Sequence, residues 1–396
     1  MPAPATLADV RDATVLVRLD LNVPLDGRAI ADDARLHAAL PTLRALAAGR
    51  NRVRVVAHLG RPLGVQPELT LRPLADALSR LLDEPVPLAT ERRAPTGASI
   101  ALLENVRFDP RETSRSADER RALAAELRAD SGADVVVADA FACLHRRHAS
   151  IVELVQAGPS LAGPLVAGEL RALAALQEAG DAPLVLVGGR RAREKLSLLA
   201  ALASTPATIA LGAEMAAGLL ALAAEERPHG PVARALLQRP ETLLPEDVVA
   251  RDERGRLRTL PLSDVHPAVR VLDLGPRARA HYAELVHAAR AVVWNGPPGM
   301  QHDPNARAGA EALARACATT RAVTLVGGGT TSMPLRWLGL AERVTHVSTG
   351  GTVLLELLAQ RPLPGLAALR SSPTATTSST AASTRPRPAR AGTAPA

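Results

Sequence analysis

The sequence predicts an α/β protein built as two Rossmann-like domains, each a parallel sheet sheathed in helices, with a cleft between them. Three observations lead there. Short β-branched apolar runs alternate with Ala/Leu-rich stretches of helical length along the chain, the pattern of parallel sheets covered by helices. The chain has 396 residues, more than one ordinary domain and enough for two. The residues that follow the apolar runs change character midway, from charged and amide side chains to glycine turns.

In order, the first half offers strands at 14–19, 52–57, 100–103 and 134–138. The second offers them at 184–187, 207–211, 291–294, 322–326 and 344–347. Stretches 35–48, 120–129 and 306–318 read as amphipathic helices between them. The segment GELRALAALQEAG, residues 168–180, has glycine at both ends of a helical stretch and reads as a connecting hinge helix. The expected division is therefore an N-terminal domain at 1–167, the hinge at 168–180 and a C-terminal domain at 181–352. A segment at 353–370 would return toward the first domain. Residues 371–396, rich in Ser, Thr, Pro and Ala, read as a disordered tail.

Hydrophobic residues make up 47% and aromatics 1%, so the cores must be built from Ala, Leu and Val. The net charge is +7, three units of it from Arg385, Arg387 and Arg390 in the tail, leaving +4. No aromatic-interleaved basic stripe occurs, which argues against nucleic acid as a partner. No apolar run is long enough to span a bilayer. Cys143 and Cys317, far apart and in no CxxC pattern, fit a reducing compartment, and a cytoplasmic location is expected. Lys195 is the only lysine in the chain.

In open α/β sheets, ligands bind outside the carboxyl ends of the strands. In the first half those ends carry Asp20, Asn22, His58, Arg61, Arg107 and Arg146, with Arg35 nearby. Arginine's planar fork suits bidentate contact with phosphate or carboxylate. Any one of them alone also fits a solvated surface. The HLGRP turn (His58 to Pro62) is harder to explain by packing. His145 and His148 lack the spacing of a metal site, and the metal ligand is left open. In the second half, Gly188-Gly189 opens a helix that carries Arg190, Arg191, Arg193 and Lys195. Helix N-termini with clustered cations make a polyphosphate cradle, although the GxxxxGK[ST] spacing is absent. Gly327-Gly328-Gly329-Thr330-Thr331 is a second turn fit for a nest of N–H groups.

Taken together, VRLDLNVP, AHLGRP, LLENVRF, DAFACLHRRHAS, LPEDVV, WNGPPG and STGG stand in the order of the phosphoglycerate kinase family. The chain resembles that family over 14–369, on the order of nine-tenths of its length. The resemblance implies the phosphoglycerate kinase fold and reversible phosphoryl transfer between 1,3-bisphosphoglycerate and ADP, with Mg2+ on the nucleotide. It implies small-molecule partners and a monomer. Asp20, Asn22, Arg35, His58, Arg61, Arg107 and Arg146 match positions that hold the phosphoglycerate. Gly188, Gly189, Lys195, Gly212, Asn295, His302 and Gly327 through Thr331, including Gly328, Gly329 and Thr330, match the nucleotide side. Arg35, Arg191, Gly329 and Gly351 match positions that serve the transferring group.

The departures lie on the nucleotide side. GGGDT reads GGGTT, so Thr330 replaces a metal-binding carboxylate. Arg191 replaces the first lysine of GGAKVSDK. WNGPMGVFE reads WNGPPGMQHD, which sets His302 in place of a ribose-contacting Glu, with Asp303 beside it. STGGG ends in Thr352. A working kinase and a weakened relative that only binds phosphoglycerate or nucleotide are the two readings this leaves.

Overall fold

The computed structural model describes residues 6–90, 95, 97–180, 182–226 and 228–372. In the first half, the strands are Thr14–Leu19 (β1), Leu25–Asp26 (β2), Ala29–Ile30 (β3), Arg52–Val56 (β4), Leu88–Ala89 (β5), Ile100–Leu103 (β6), Val135–Asp139 (β7) and Ser160–Ala162 (β8). Helices Ala34–Ala48 (α1), Arg72–Leu82 (α2), Ala117–Ser131 (α3) and Glu153–Gln156 (α4) lie between them, and Pro164–Glu178 (α5) follows. Strands β5-β6-β4-β1-β7-β8 form one six-stranded sheet with every pair parallel. Each of β1, β6 and β7 is buried along its whole length, as helices on both faces require. That is why these strands read as near-continuous apolar runs, broken by Arg18 in β1 and ended by Asp139 in β7.

In the second half, the strands are Leu184–Val187 (β9), Thr208–Leu211 (β10), Thr242–Leu243 (β11), Asp247–Arg251 (β12), Leu257–Pro261 (β13), Arg270–Leu274 (β14), Ala291–Asn295 (β15), Val323–Gly327 (β16) and His346–Ser348 (β17). The helices are Ala192–Ala203 (α6), Ala213–Ala223 (α7), Gly230–Gln238 (α8), Pro276–Ala288 (α9), Ala308–Thr319 (α10), Gly329–Trp337 (α11), Gly351–Leu358 (α12) and Pro364–Ser371 (α13). The second parallel sheet runs β11-β10-β9-β15-β16-β17, the 3-2-1-4-5-6 order of the doubly wound fold. The sequence gives no warning of the antiparallel sheet β13-β12-β14. Its strand β13 is largely exposed, so it lacks the apolar run that betrays the others.

The connecting helix begins at Pro164, four residues before the expected 168. It packs on β7 of the first sheet and on β16 and β17 of the second. The last helix, α13, packs on α4 and β8, and the Gly365 amide donates to the Leu144 carbonyl at 2.9 Å. Ser371 closes α13 and Ser372 is buried; the rest of the expected tail, from 373 on, lies outside the described residues.

Three helices lack a side-chain cap of their own and take one from a buried strand-end aspartate. Asp139 accepts from the Val166 amide of α5 at 2.9 Å, and Thr42 of α1 donates to it as well. Asp247 accepts from the Ala278 amide of α9 at 2.8 Å, and Asp273 from the Gly309 amide of α10 at 2.7 Å. A Cβ at Gly163, Gly275 or Gly309 would collide with the capping carboxylate.

Candidate active site

Both sheets present their carboxyl edges to ligand-binding chemistry at the point where strand order reverses. In the first sheet that point lies between β1 and β7, with β4 on the other side of β1. Asp20 follows β1, and pairs with Arg35 in the first turn of α1. His58 follows β4 and is 1% exposed. Arg18, inside β1 and also 1% exposed, donates to His58 Nδ1 at 3.1 Å and to Ser150 Oγ at 2.8 Å. The Ser150 hydroxyl in turn donates to Glu112 Oε1 at 2.6 Å. Since arginine only donates, His58 Nδ1 accepts and Nε2 carries the proton. That Nε2 is buried with no partner, a fixed donor awaiting an acceptor.

The HLGRP turn is held from both sides. The Gly60 amide donates to Asn22 Oδ1 at 2.9 Å, and the Arg107 guanidinium donates to the Gly60 carbonyl. Arg107 Nε and Arg146 NH1 are buried and unpartnered. Burial, and after it the charge of Arg146, hold the Arg107 guanidinium down to about 10. Burial and the surrounding arginines push His58 well below its usual range, His145 to about 4 and His148 to about 3. Mutually repelling cations with orphaned donors define an anion site. Arg61 is exposed and makes no side-chain hydrogen bond or ion pair with the described residues. Arg18, Ser150 and Glu112 are the functional residues that sequence reasoning missed. An arginine set in the middle of the apolar VLVRL run was their only signal.

Among the described residues, Asp20, His58 and Cys143 have ligand atoms close enough together to hold a cation. Their partners argue otherwise. Asp20 is neutralised by Arg35 and His58 offers a proton, so the group suits an anion better than a cation.

In the second sheet the reversal lies between β9 and β15. Lys195, in the first turns of α6, reaches back to donate to the Gly188 carbonyl at 2.9 Å and Asn295 Oδ1 at 3.2 Å. Asn295 Nδ2 donates to the Gly327 carbonyl at 3.1 Å, and the Gly296 amide donates to Thr331 Oγ1 at 2.8 Å. Gly212 lies against Gly188: an added Cβ would stand 3.0 Å from the Gly188 Cα. Gly327 and Gly351 touch so closely that a Cβ on Gly327 would stand 2.7 Å from the Gly351 Cα. Gly328, at φ +98, adopts a conformation that only glycine takes easily. Helices α6, α7, α11 and α12 all begin along this edge, and their free N–H groups favour anionic ligands. Burial brings the Lys195 ammonium down to about 8.

The departures sit at the margin of this network. Arg191 is exposed and pairs with Glu194 at 3.2 Å. Gly329, Thr330 and His302 are exposed. Asp303 is engaged elsewhere, accepting from the Asn305 amide at 3.0 Å and pairing with Arg251 at 3.4 Å. Among the described residues no cluster of three or more metal-ligating side chains lies at the glycine nest, where residue 330 is a threonine.

The two edges are joined by few contacts. Glu169 of α5, 3% exposed, accepts from the Thr349 amide at 2.7 Å and lies 2.9 Å from His346 Nε2. Gly350 packs on Phe141, and Arg336 of α11 pairs with Asp32 at 3.0 Å.

Fold and edges together define a class: two-domain α/β proteins in which a cationic anion site on one sheet faces a cradle of helix N-termini on another. The family described as "Phosphoglycerate kinase" matches residues 6–361. A phosphoglycerate kinase of Thermomicrobium roseum is 40% identical over 390 residues, covering 91% of this chain and 97% of that protein. The structure of phosphoglycerate kinase from Coxiella burnetii aligns with a TM-score of 0.72 at 30% identity, covering 90% of this chain and 96% of that one. The phosphoglycerate kinase of Pyrococcus horikoshii aligns with a TM-score of 0.79 at 27% identity, covering 91% and 96%. This chain belongs to the phosphoglycerate kinase family.

Proposed function

We propose that the protein transfers a phosphoryl group reversibly between the acyl phosphate of 1,3-bisphosphoglycerate and ADP, giving 3-phosphoglycerate and ATP. The observation that carries this reading is the set of buried, unpartnered donors on the first sheet, His58 Nε2, Arg107 Nε and Arg146 NH1. With Asp20, Asn22, Arg35 and Arg61 they make a site for phosphoglycerate. The second sheet takes the nucleotide: Lys195 and the N-termini of α6, α11 and α12 meet its phosphates, near Gly188, Gly189, Gly212, Asn295 and the nest at 327–331. Mg2+ enters as part of the nucleotide substrate, held by its phosphates and water, and neutralises charge on them. Arg35 and Arg191, with the amides of Gly329 and Gly351, stabilise the group in transfer.

Phosphoryl transfer needs positioning and charge stabilisation more than covalent chemistry. Each group named above supplies one of these. The domains we assign are 1–167 and 181–352, with 168–180 as the hinge and 353–370 returning to the first. Closure about the hinge excludes water from the acyl phosphate. No described helix is long and apolar enough to cross a membrane, and we place the protein in the cytoplasm as a monomer. The binding-only reading is not favoured, because the relatives carry the kinase name across nearly the whole chain. A coupled assay of the purified protein with 3-phosphoglycerate, ATP and Mg2+ tests the proposal. ADP formation dependent on both substrates is expected, and its absence at high enzyme concentration would overturn it.

A further inference from the structure

Two positions that differ from the family pattern, one of them Thr330, touch each other. Gln301, where the family pattern has Phe, donates from Nε2 to the carbonyl of Thr330, where the pattern has Asp. Gln301 is 2% exposed, and its Oε1 is buried with no donor. The Gln301 carbonyl accepts from Arg307 Nε at 3.0 Å, and the Arg307 guanidinium lies 5.3 Å from the Trp337 ring centroid at the far end of α11. The loop after β15 thus grips α11 near both ends, with the Gly296–Thr331 hydrogen bond as a third tie.

We infer that Gln301 is a positioning residue for the glycine nest, fixing the Thr330 peptide and with it the amides that α11 turns toward the nucleotide phosphates. This rests on the nucleotide assignment made above. An apolar residue at 301 fills space but leaves the Thr330 carbonyl without a donor, because Pro334, four residues on in α11, has no N–H. An amide pins that carbonyl and so aims the peptide. Where the family pattern puts charge on the side chain of residue 330, this chain orients residue 330 through its backbone. The orphaned Oε1 also shows that the pocket has no donor for a second oxygen, so a carboxylate at 301 would be both unsatisfied and opposed to the Thr330 carbonyl.

The test is calorimetric titration of the full chain with Mg·ADP and separately with 3-phosphoglycerate, for the parent, Gln301→Met and Gln301→Glu, alongside the melting temperature. Gln301→Met keeps the volume and removes the donor. We expect its ADP dissociation constant to rise about tenfold or more while phosphoglycerate affinity and melting temperature stay at parent values. Gln301→Glu should lose more. Parent-like ADP affinity in Gln301→Met would overturn the inference and leave the nucleotide assignment standing. Parallel loss of both affinities and of melting temperature would reduce Gln301 to a packing role, and also overturn it. A parent that binds no nucleotide would overturn the site assignment itself and the inference with it.

Discussion

Lys195 is the one lysine in the chain, and its ammonium is held by two acceptors, the Gly188 carbonyl and Asn295 Oδ1, at 2.9 and 3.2 Å. Burial alone lowers it from 10.5 to about 8, which corresponds to about 3 kcal/mol against the charged form at 1.36 kcal/mol per unit. A polyphosphate placed beside it repays that cost, so nucleotide should restore the ammonium. Near pH 8 about half of the free protein's Lys195 is neutral, and binding should then take up about half a proton. Above that pH, nucleotide affinity should fall by up to about tenfold per unit, because the free form must be reprotonated first. The ammonium is present below pH 8 and lost above it, so the fall lies on the alkaline side. The assay is titration calorimetry with ADP in two buffers of different ionisation enthalpy, between about pH 7 and 9.5, where the nucleotide phosphates stay ionised. Lys195→Arg, which stays charged, should flatten the profile. No proton uptake near pH 8 together with constant affinity would refute the reasoning.

Three further outcomes follow from the geometry. Arg35→Ala and Arg61→Ala should each weaken 3-phosphoglycerate binding by about 1.5–3 kcal/mol, the worth of a charge-assisted hydrogen bond, measured by calorimetry; unchanged affinity in both would remove the two arginines from the site. Thr330→Asp adds an anionic oxygen ligand, so rate measured against Mg2+ concentration should reach half-maximum at lower metal than in the parent; superimposable curves would show that the metal is held without it. His58, His145 and His148 are held low by burial first and neighbouring arginines second, so unfolding takes up protons below about pH 6.5. Their stability contribution is complete above that pH and is lost as pH falls, with a slope of up to about 4 kcal/mol per pH unit near pH 5 for three groups. Urea unfolding followed by circular dichroism at pH 7 and about 5 checks this, and equal stabilities would contradict it.

The parallel sheets were legible because strands buried on both faces read as near-continuous apolar runs, as β1 and β7 do apart from Thr14, Arg18 and Asp139. The antiparallel sheet was hidden by the same logic: β13, arginine-bearing and exposed, looks like loop. Lys195 stood out because it is the only lysine in an arginine-rich chain. The support beneath His58 did not, since Arg18, Ser150 and Glu112 come from distant parts of the chain and only the fold brings them into one hydrogen-bonded row. Gln301 was not singled out, because its grip on Thr330 depends on two separate stretches of chain meeting.

The borrowed caps bear on the order in which the chain assembles. Helices α5, α9 and α10 have no capping side chain at their own N-caps. The acceptors arrive with strand-end aspartates lying 27, 31 and 36 residues away in sequence. A helix whose first turn waits on a distant strand gains little by forming early, since nucleation is unfavourable without such support. These helices should therefore consolidate with or after their sheets, and mutations in their first turns should speed unfolding more than they slow folding. The glycines beside the aspartates serve the same dependence, because they leave no room for a helix to bring a bulkier cap of its own.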